Sequence, residues 1–110
     1  MALPPPGASA HQVLSTYLQA LQAGDCDTAH ALAASTFVVG NGELCGDVDV
    51  KTFTVGGDAQ VGDSEITFAT QMVTDGSADG SIPAGNLTWF YSLKKQPSGS
   101  WRLISGGSGP

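Results

Sequence analysis

From Ala10 to Ala23 the apolar residues Val13, Leu14, Tyr17, Leu18 and Leu21 recur at spacings of three and four. That period puts them on one stripe of an amphipathic helix. Ser9 is placed to cap its start, and Gly24 supplies the residue that ends it most readily. After the Gly24-Asp25 break, Asp25 or Asp27 can cap a second helix near residues 26–35, carried by Ala29, Leu32 and Ala33. The alanines let this helix approach a neighbour closely. The period then changes to two. Residues 47–55 (DVDVKTFTV) are β-branched and aromatic-rich, as a strand requires. Residues 65–74 place Ile66, Phe68, Thr70 and Met72 on one face. Residues 86–95 do the same with Leu87, Trp89, Tyr91 and Leu93. A turn at Gln96-Pro97-Ser98-Gly99 leads into a last strand, residues 100–104, with Trp101 and Leu103 on one side.

The expected order is α-α-β-β-β-β. Helices first and an antiparallel meander after them predict an α+β domain, with N-terminal helices packed on a curved four-stranded sheet, rather than a doubly wound one. Two helices cover one face of such a sheet, and the other face meets water or a partner. Residues 1–8 read as a Pro-rich leader and residues 9–110 as a single domain, which suits a chain of 110 residues. The sequence has no internal repeat.

Charge narrows the function. Ten acidic residues against four basic ones give a formal net charge of −6. That is no footprint for nucleic acid, and no polybasic patch for an anionic membrane. No apolar run approaches the length of a membrane span. The opening Pro4-Pro5-Pro6-Gly7 carries neither a positive n-region nor an apolar stretch. It resembles the spacers that follow a signal peptide, lipid anchor or membrane helix, so a secreted or tethered chain is expected.

The two cysteines, Cys26 and Cys45, fit no short metal-binding spacing, and His11 and His30 do not complete one. Two readings remain: one disulfide in an oxidising compartment, or two unrelated buried thiols. The residues sit at the ends of predicted elements, where a staple ties a connection to the scaffold, and this favours the disulfide. Closing a loop of this size stabilises by about 3 kcal/mol in the chain-entropy description.

Three stretches carry a resemblance to a known family: the opening VLSTYLQALQAGDCDTAHAL, the strand LTWFYSL, and the closing WRLISGGSG. The chain resembles the nuclear transport factor 2-like (NTF2-like) domains, whose cone-shaped α+β fold is shared with ketosteroid isomerases and small polyketide cyclases. The Cys26/Cys45 pair and the terminal GGSG resemble a subset found in exported or membrane-tethered actinobacterial proteins. Residues 34–46 are short where relatives often carry a longer helical region that closes the cone mouth, which argues against a deep, sealed cavity.

In enzymes of that family a carboxylate or histidine in the cone takes a proton while a tyrosine or protonated acid holds the oxyanion. Tyr17, His30 and Asp49 are the residues here that such chemistry could recruit. Each has a plainer reading: Tyr17 as a core aromatic, His30 as a solvated histidine near a helix end, and Asp47 and Asp49 as acids turned to water opposite Val48 and Val50. Asp75 and Asp79 resemble a calcium loop only loosely, without its ligand order. No nucleophile motif and no phosphate-binding glycine loop is present, so neither a cofactor nor a metal is implied. The aromatic set Trp89, Tyr91 and Trp101 reads first as core, then as a partner surface or a pocket for an apolar ligand.

These observations lead to a non-catalytic extracytoplasmic binding or assembly domain. Its partner would be a protein or a small apolar ligand, with a homodimer through the sheet as one form. The alternative is a small isomerase-, dehydratase- or cyclase-type enzyme acting on an apolar molecule by proton transfer.

Overall fold

The structure is a computed structural model that describes residues 3–5, 7–34, 37, 45, 48–77 and 84–107, with the side chains of 48, 49, 57–61 and 77 outside that description. Helix α1 spans Ala10–Ala23 and α2 spans Cys26–Ala31. Strands β1 (Val48–Gly62), β2 (Glu65–Ser77), β3 (Gly85–Lys95) and β4 (Trp101–Gly107) form one antiparallel sheet in chain order.

Helix α1 begins and ends where its local chemistry dictates. Ser9 Oγ accepts the Gln12 N–H at 3.1 Å. Gly24 adopts φ 69°, a left-handed cap that a β-carbon would strain. Between them Val13, Leu14, Tyr17, Leu18 and Leu21 are all buried. Their partners come from the inner face of the sheet: Phe68 and Met72 on β2, Tyr91 and Leu93 on β3, and Leu103 on β4. Antiparallel register pairs Phe68 with Tyr91, Ile66 with Leu93 and Met72 with Leu87, so the inward positions of neighbouring strands stack in rows.

Helix α2 is shorter than the 26–35 that its alanines suggest. Asp25 caps it, accepting from the Thr28 amide at 3.2 Å and the Thr28 hydroxyl at 2.7 Å. The chain leaves the helix after Ala31 because residues 32–34 pair with the sheet instead. Leu103 N–H donates to the Leu32 carbonyl at 3.1 Å, and Ala34 N–H donates to the Leu103 carbonyl at 2.8 Å. This short parallel bridge covers the edge of β4 that would otherwise be open at that point.

Strand β1 is longer than residues 47–55. It runs through Gly56 and Gly57, which read in sequence as a break. Val55 pairs with Thr70 and Asp58 with Phe68, so β1 carries one residue more than β2 across this step, a β-bulge. A β-carbon on Gly56 would lie 3.0 Å from the Ala69 carbonyl oxygen, so the glycine permits a close backbone approach. A second bulge at Lys51 turns its carbonyl to the side chain of Gln22 on α1, which donates at 2.8 Å. A third, at Ile104, shifts the β3–β4 register between Leu103 and Ser105. The β1–β2 register also shifts near the two ends of β1, between Val48 and Val50 and between Gln60 and Gly62. Such irregularities bend strands and add twist, and together they curve the sheet around α1.

Cys26 and Cys45 form a disulfide with Cα atoms 5.6 Å apart. It ties the start of α2 to the connection before β1, and Cys45 belongs to the core cluster. Reducing the bond, or replacing both cysteines with serine, is expected to lower unfolding free energy by about 3 kcal/mol. Denaturant unfolding with and without reductant measures it. Mass spectrometry of the non-reduced chain should show two hydrogens fewer than the reduced form.

Candidate functional site

Three rings meet between α1 and the sheet. The stripe of α1 delivers Tyr17, the alternation of β3 delivers Tyr91, and the chain after α2 delivers Phe37. Tyr17 lies 5.5 Å from Tyr91 and 5.6 Å from Phe37, centroid to centroid, and Phe37 lies 6.1 Å from Tyr91. These tilted and edge-to-face contacts are the arrangements that aromatic quadrupoles favour. Both tyrosines are fully enclosed. Further along the same inner face, Thr70 is buried and its hydroxyl donates to the Trp89 carbonyl at 2.6 Å. Trp89 itself is partly buried against the core. Its Nε1 is enclosed without a hydrogen-bond acceptor, which costs on the order of 1–3 kcal/mol that the surrounding packing offsets.

The other sequence candidates scatter. His30 is exposed at the end of α2. His11 is also exposed and packs edge-on against Phe68 at 6.0 Å. Asp49 lies in β1, but its side chain falls outside the described residues, as Asp47 and Asp79 do entirely. Most of the shortened 34–46 region also lies outside them. Asp75 makes a surface ion pair with Lys51 at 3.4 Å. Among the described residues no cluster of histidine, cysteine and carboxylate side chains could hold a metal ion.

The aromatic set Trp89, Tyr91 and Trp101 does not form one outer surface. Tyr91 is core because its position on β3 points it at α1. Trp101 pairs with Lys95, six residues along β3 from Trp89, so the two backbone positions are about 20 Å apart along the strand. Trp101 instead stands at the start of β4, beside the proline-rich leader.

The opposite face of the sheet, expected from the sequence to meet water or a partner, is lined in its middle by uncharged residues. Thr52, Thr54, Gln71, Val73 and Thr88 are exposed there, with Thr67, Ala69, Phe90 and Ser92 half-buried. The Thr67 and Ser92 hydroxyls bond at 2.8 Å, and Thr88 donates to Gln71 at 3.0 Å. None of these residues is ionisable. The signal was present in the sequence as threonine and serine alternating with the apolar positions of β1, β2 and β3.

The order of elements, the inward bend of the sheet and the packing of α1 on its concave side define a cone. Solved structures share it. An NTF2-like protein of Rhodospirillum rubrum, described as of unknown function in nutrient uptake, superposes with a TM-score of 0.66 at 16% identity, over 90% of this chain and 95% of that one. The chain has the NTF2-like fold. An NTF2-like protein of Cytophaga hutchinsonii gives 0.62 at 12% identity, over 87% and 90% of the two chains. A ketosteroid isomerase-like protein of Erwinia carotovora atroseptica gives 0.60 at 16% identity, over 87% and 88%. No protein-family model and no curated protein matches the sequence.

In this NTF2-like cone the interior rings act as packing, and their removal measures it. Tyr91→Ala is expected to cost about 3–5 kcal/mol of unfolding free energy, through lost burial and the cavity left beside Tyr17 and Phe37. Chemical denaturation gives that difference directly.

Asp25 supplies the clearest electrostatic effect. The Thr28 hydroxyl and then the Thr28 amide, both donating to its carboxylate, hold its pKa below the usual aspartate value. A carboxyl whose pKa is depressed on folding adds stability above its unfolded pKa and loses it as pH falls through the folded one. Asp25→Ala is therefore expected to lower the melting temperature at neutral pH. The difference from wild type should narrow as pH drops through and below the ordinary carboxylate range. Paired thermal melts across that range test the sign.

Proposed function

We propose that this NTF2-like chain is a non-catalytic extracytoplasmic binding or assembly domain, secreted or membrane-tethered, of the type exported by actinobacteria. It assembles with a second copy of itself through the outer face of the sheet. The observation that carries the reading is the neutrality of the middle of that face, between Glu65 and Lys94 at one end and Asp75 with Lys51 at the other. In a chain of net charge −6, the patch from Thr52 and Thr54 across Gln71, Val73 and Thr88 to Phe90 contains no charge. Two copies of so acidic a chain repel each other least where neither presents a carboxylate. Hydroxyl and amide groups, with Val73 and Phe90 among them, supply the mixed apolar and polar contacts that protein interfaces use.

Two further observations support the reading. The disulfide suits an oxidising compartment. No helix among the described residues is long and apolar enough to cross a membrane, so a tether would lie in another segment. The interior rings, which an isomerase-type enzyme would have to part around its substrate, are in contact with one another.

Sedimentation equilibrium tests the assembly. The oxidised chain is expected to be dimeric at micromolar concentration. Val73→Glu, at an exposed position, should shift it to monomer while leaving the melting temperature of the fold unchanged. A wild-type chain that stays monomeric well above that concentration overturns pairing through the sheet, and so does a dimer that Val73→Glu leaves intact.

A further inference from the structure

A pocket of about 210 Å³ opens between the leader and the start of β4. Four segments distant in sequence build it. Leu3, Pro4 and Pro5 of the leader form one wall. Val13 of α1 and Leu32 after α2 are buried beneath it, and Ser100, Trp101 and Arg102 form the facing wall. The leader is held there by its own turn. Ala8 N–H donates to the Pro5 carbonyl at 2.9 Å, and Ala8 is buried. The prolines fix φ in this stretch, so the wall is stiff before anything binds.

Among the described residues the lining is apolar apart from Ser100 and Arg102, and no acidic one belongs to it. Arg102 is one of only four cationic side chains in the sequence. One nitrogen of its guanidinium group, Nη1, donates to the Ala31 carbonyl at the end of α2. That bond anchors the head group and leaves most of its five N–H donors for another acceptor. A guanidinium fixed at the rim of an apolar pocket matches a carboxylate, which it can grip with two parallel hydrogen bonds. The volume is below the range of about 300–1,000 Å³ that holds drug-sized ligands, so the occupant is small.

We propose that this pocket binds a small apolar carboxylate, with Arg102 taking the carboxylate and the hydrocarbon portion lying among Leu3, Val13, Leu32 and Trp101. The leader then forms part of a binding site besides serving as a spacer. This deepens the binding half of the function above. It uses no residue of the sheet face, so the dimerisation test and the test of this pocket can fail separately.

The test is a titration of the full, oxidised chain with hexanoate and, in parallel, with 1-hexanol, followed by ¹H–¹⁵N correlation spectra. Hexanoate is expected to move the Trp101 indole N–H and the amides of Leu3, Ala31, Leu32 and Arg102 saturably. The alcohol, with the same chain and no charge, should bind at least tenfold more weakly. Arg102→Gln should erase the difference between the two ligands. Equal affinity of the wild-type chain for both ligands overturns the proposal. So does a response centred on Tyr17, Trp89 and Tyr91, or shifts that never saturate. The wild-type comparison decides even if the variant does not fold.

Discussion

Val13, Leu14, Tyr17, Leu18 and Leu21 all project from one side of a single helix, and a flat sheet could not touch them all. A fourteen-residue helix lying on four strands stays dry only where the strands bend toward it. The bend is built from local irregularities, among them an extra residue in β1 at the Gly56-Gly57 step, another at Lys51, and one in β4 at Ile104. Each disturbs the ladder and turns the strand. At Lys51 the carbonyl moved by the bulge finds Gln22 on the very helix that the curvature serves. Curvature and helix docking are therefore one constraint seen from two sides, and the enclosure of Tyr17 against Tyr91 and Phe37 follows from it.

The limits of α1 were legible because both are decided within a few residues, by the Ser9 hydroxyl at one end and a left-handed glycine at the other. The inward faces of β2 and β3 were legible for a similar reason, since alternation is a property of each strand alone. The end of α2 was not. Alanine propensity would carry the helix past Ala31, but Leu103, seventy positions later in the chain, offers residues 32–34 hydrogen bonds that the helix cannot match there. Tertiary pairing overrides local preference. Gly56 and Gly57 misled in the opposite direction. Glycine usually signals a break, and here it signals a backbone approach that depends on the Ala69 carbonyl of the next strand.

The same distinction separates the candidate sites. Tyr17 and Tyr91 could be assigned to the core from the periods of their own elements. The distance between Trp89 and Trp101 depends instead on the turn at Gln96–Gly99, which reverses the chain and carries Trp101 to the far end of β3. The pocket at that end was invisible in sequence. It needs the leader to fold back at Ala8, α2 to stop at Ala31 and β4 to begin at Trp101, and no short window contains more than one of those events.

Charge distribution links these features to what the molecule does. Few cations are available to a chain this acidic, and the structure commits them unequally. Lys51 is held by Asp75 on an exposed bulge, where the pair contributes little to stability. Arg102 is held by a backbone carbonyl, which carries no full negative charge to neutralise it. Its positive charge therefore remains available to an anion, next to apolar walls that add the hydrophobic part of recognition. The middle of the outer sheet face takes the opposite course and carries no charge, its acids and lysines standing at the two ends of the strands as the register neighbours Glu65 and Lys94 and the ion pair of Asp75 with Lys51. In the function proposed above one surface meets a copy of the same chain and the other a small anion, and the helix that ends at the Ala31 carbonyl on which the arginine rests begins at the cysteine that the disulfide ties to Cys45.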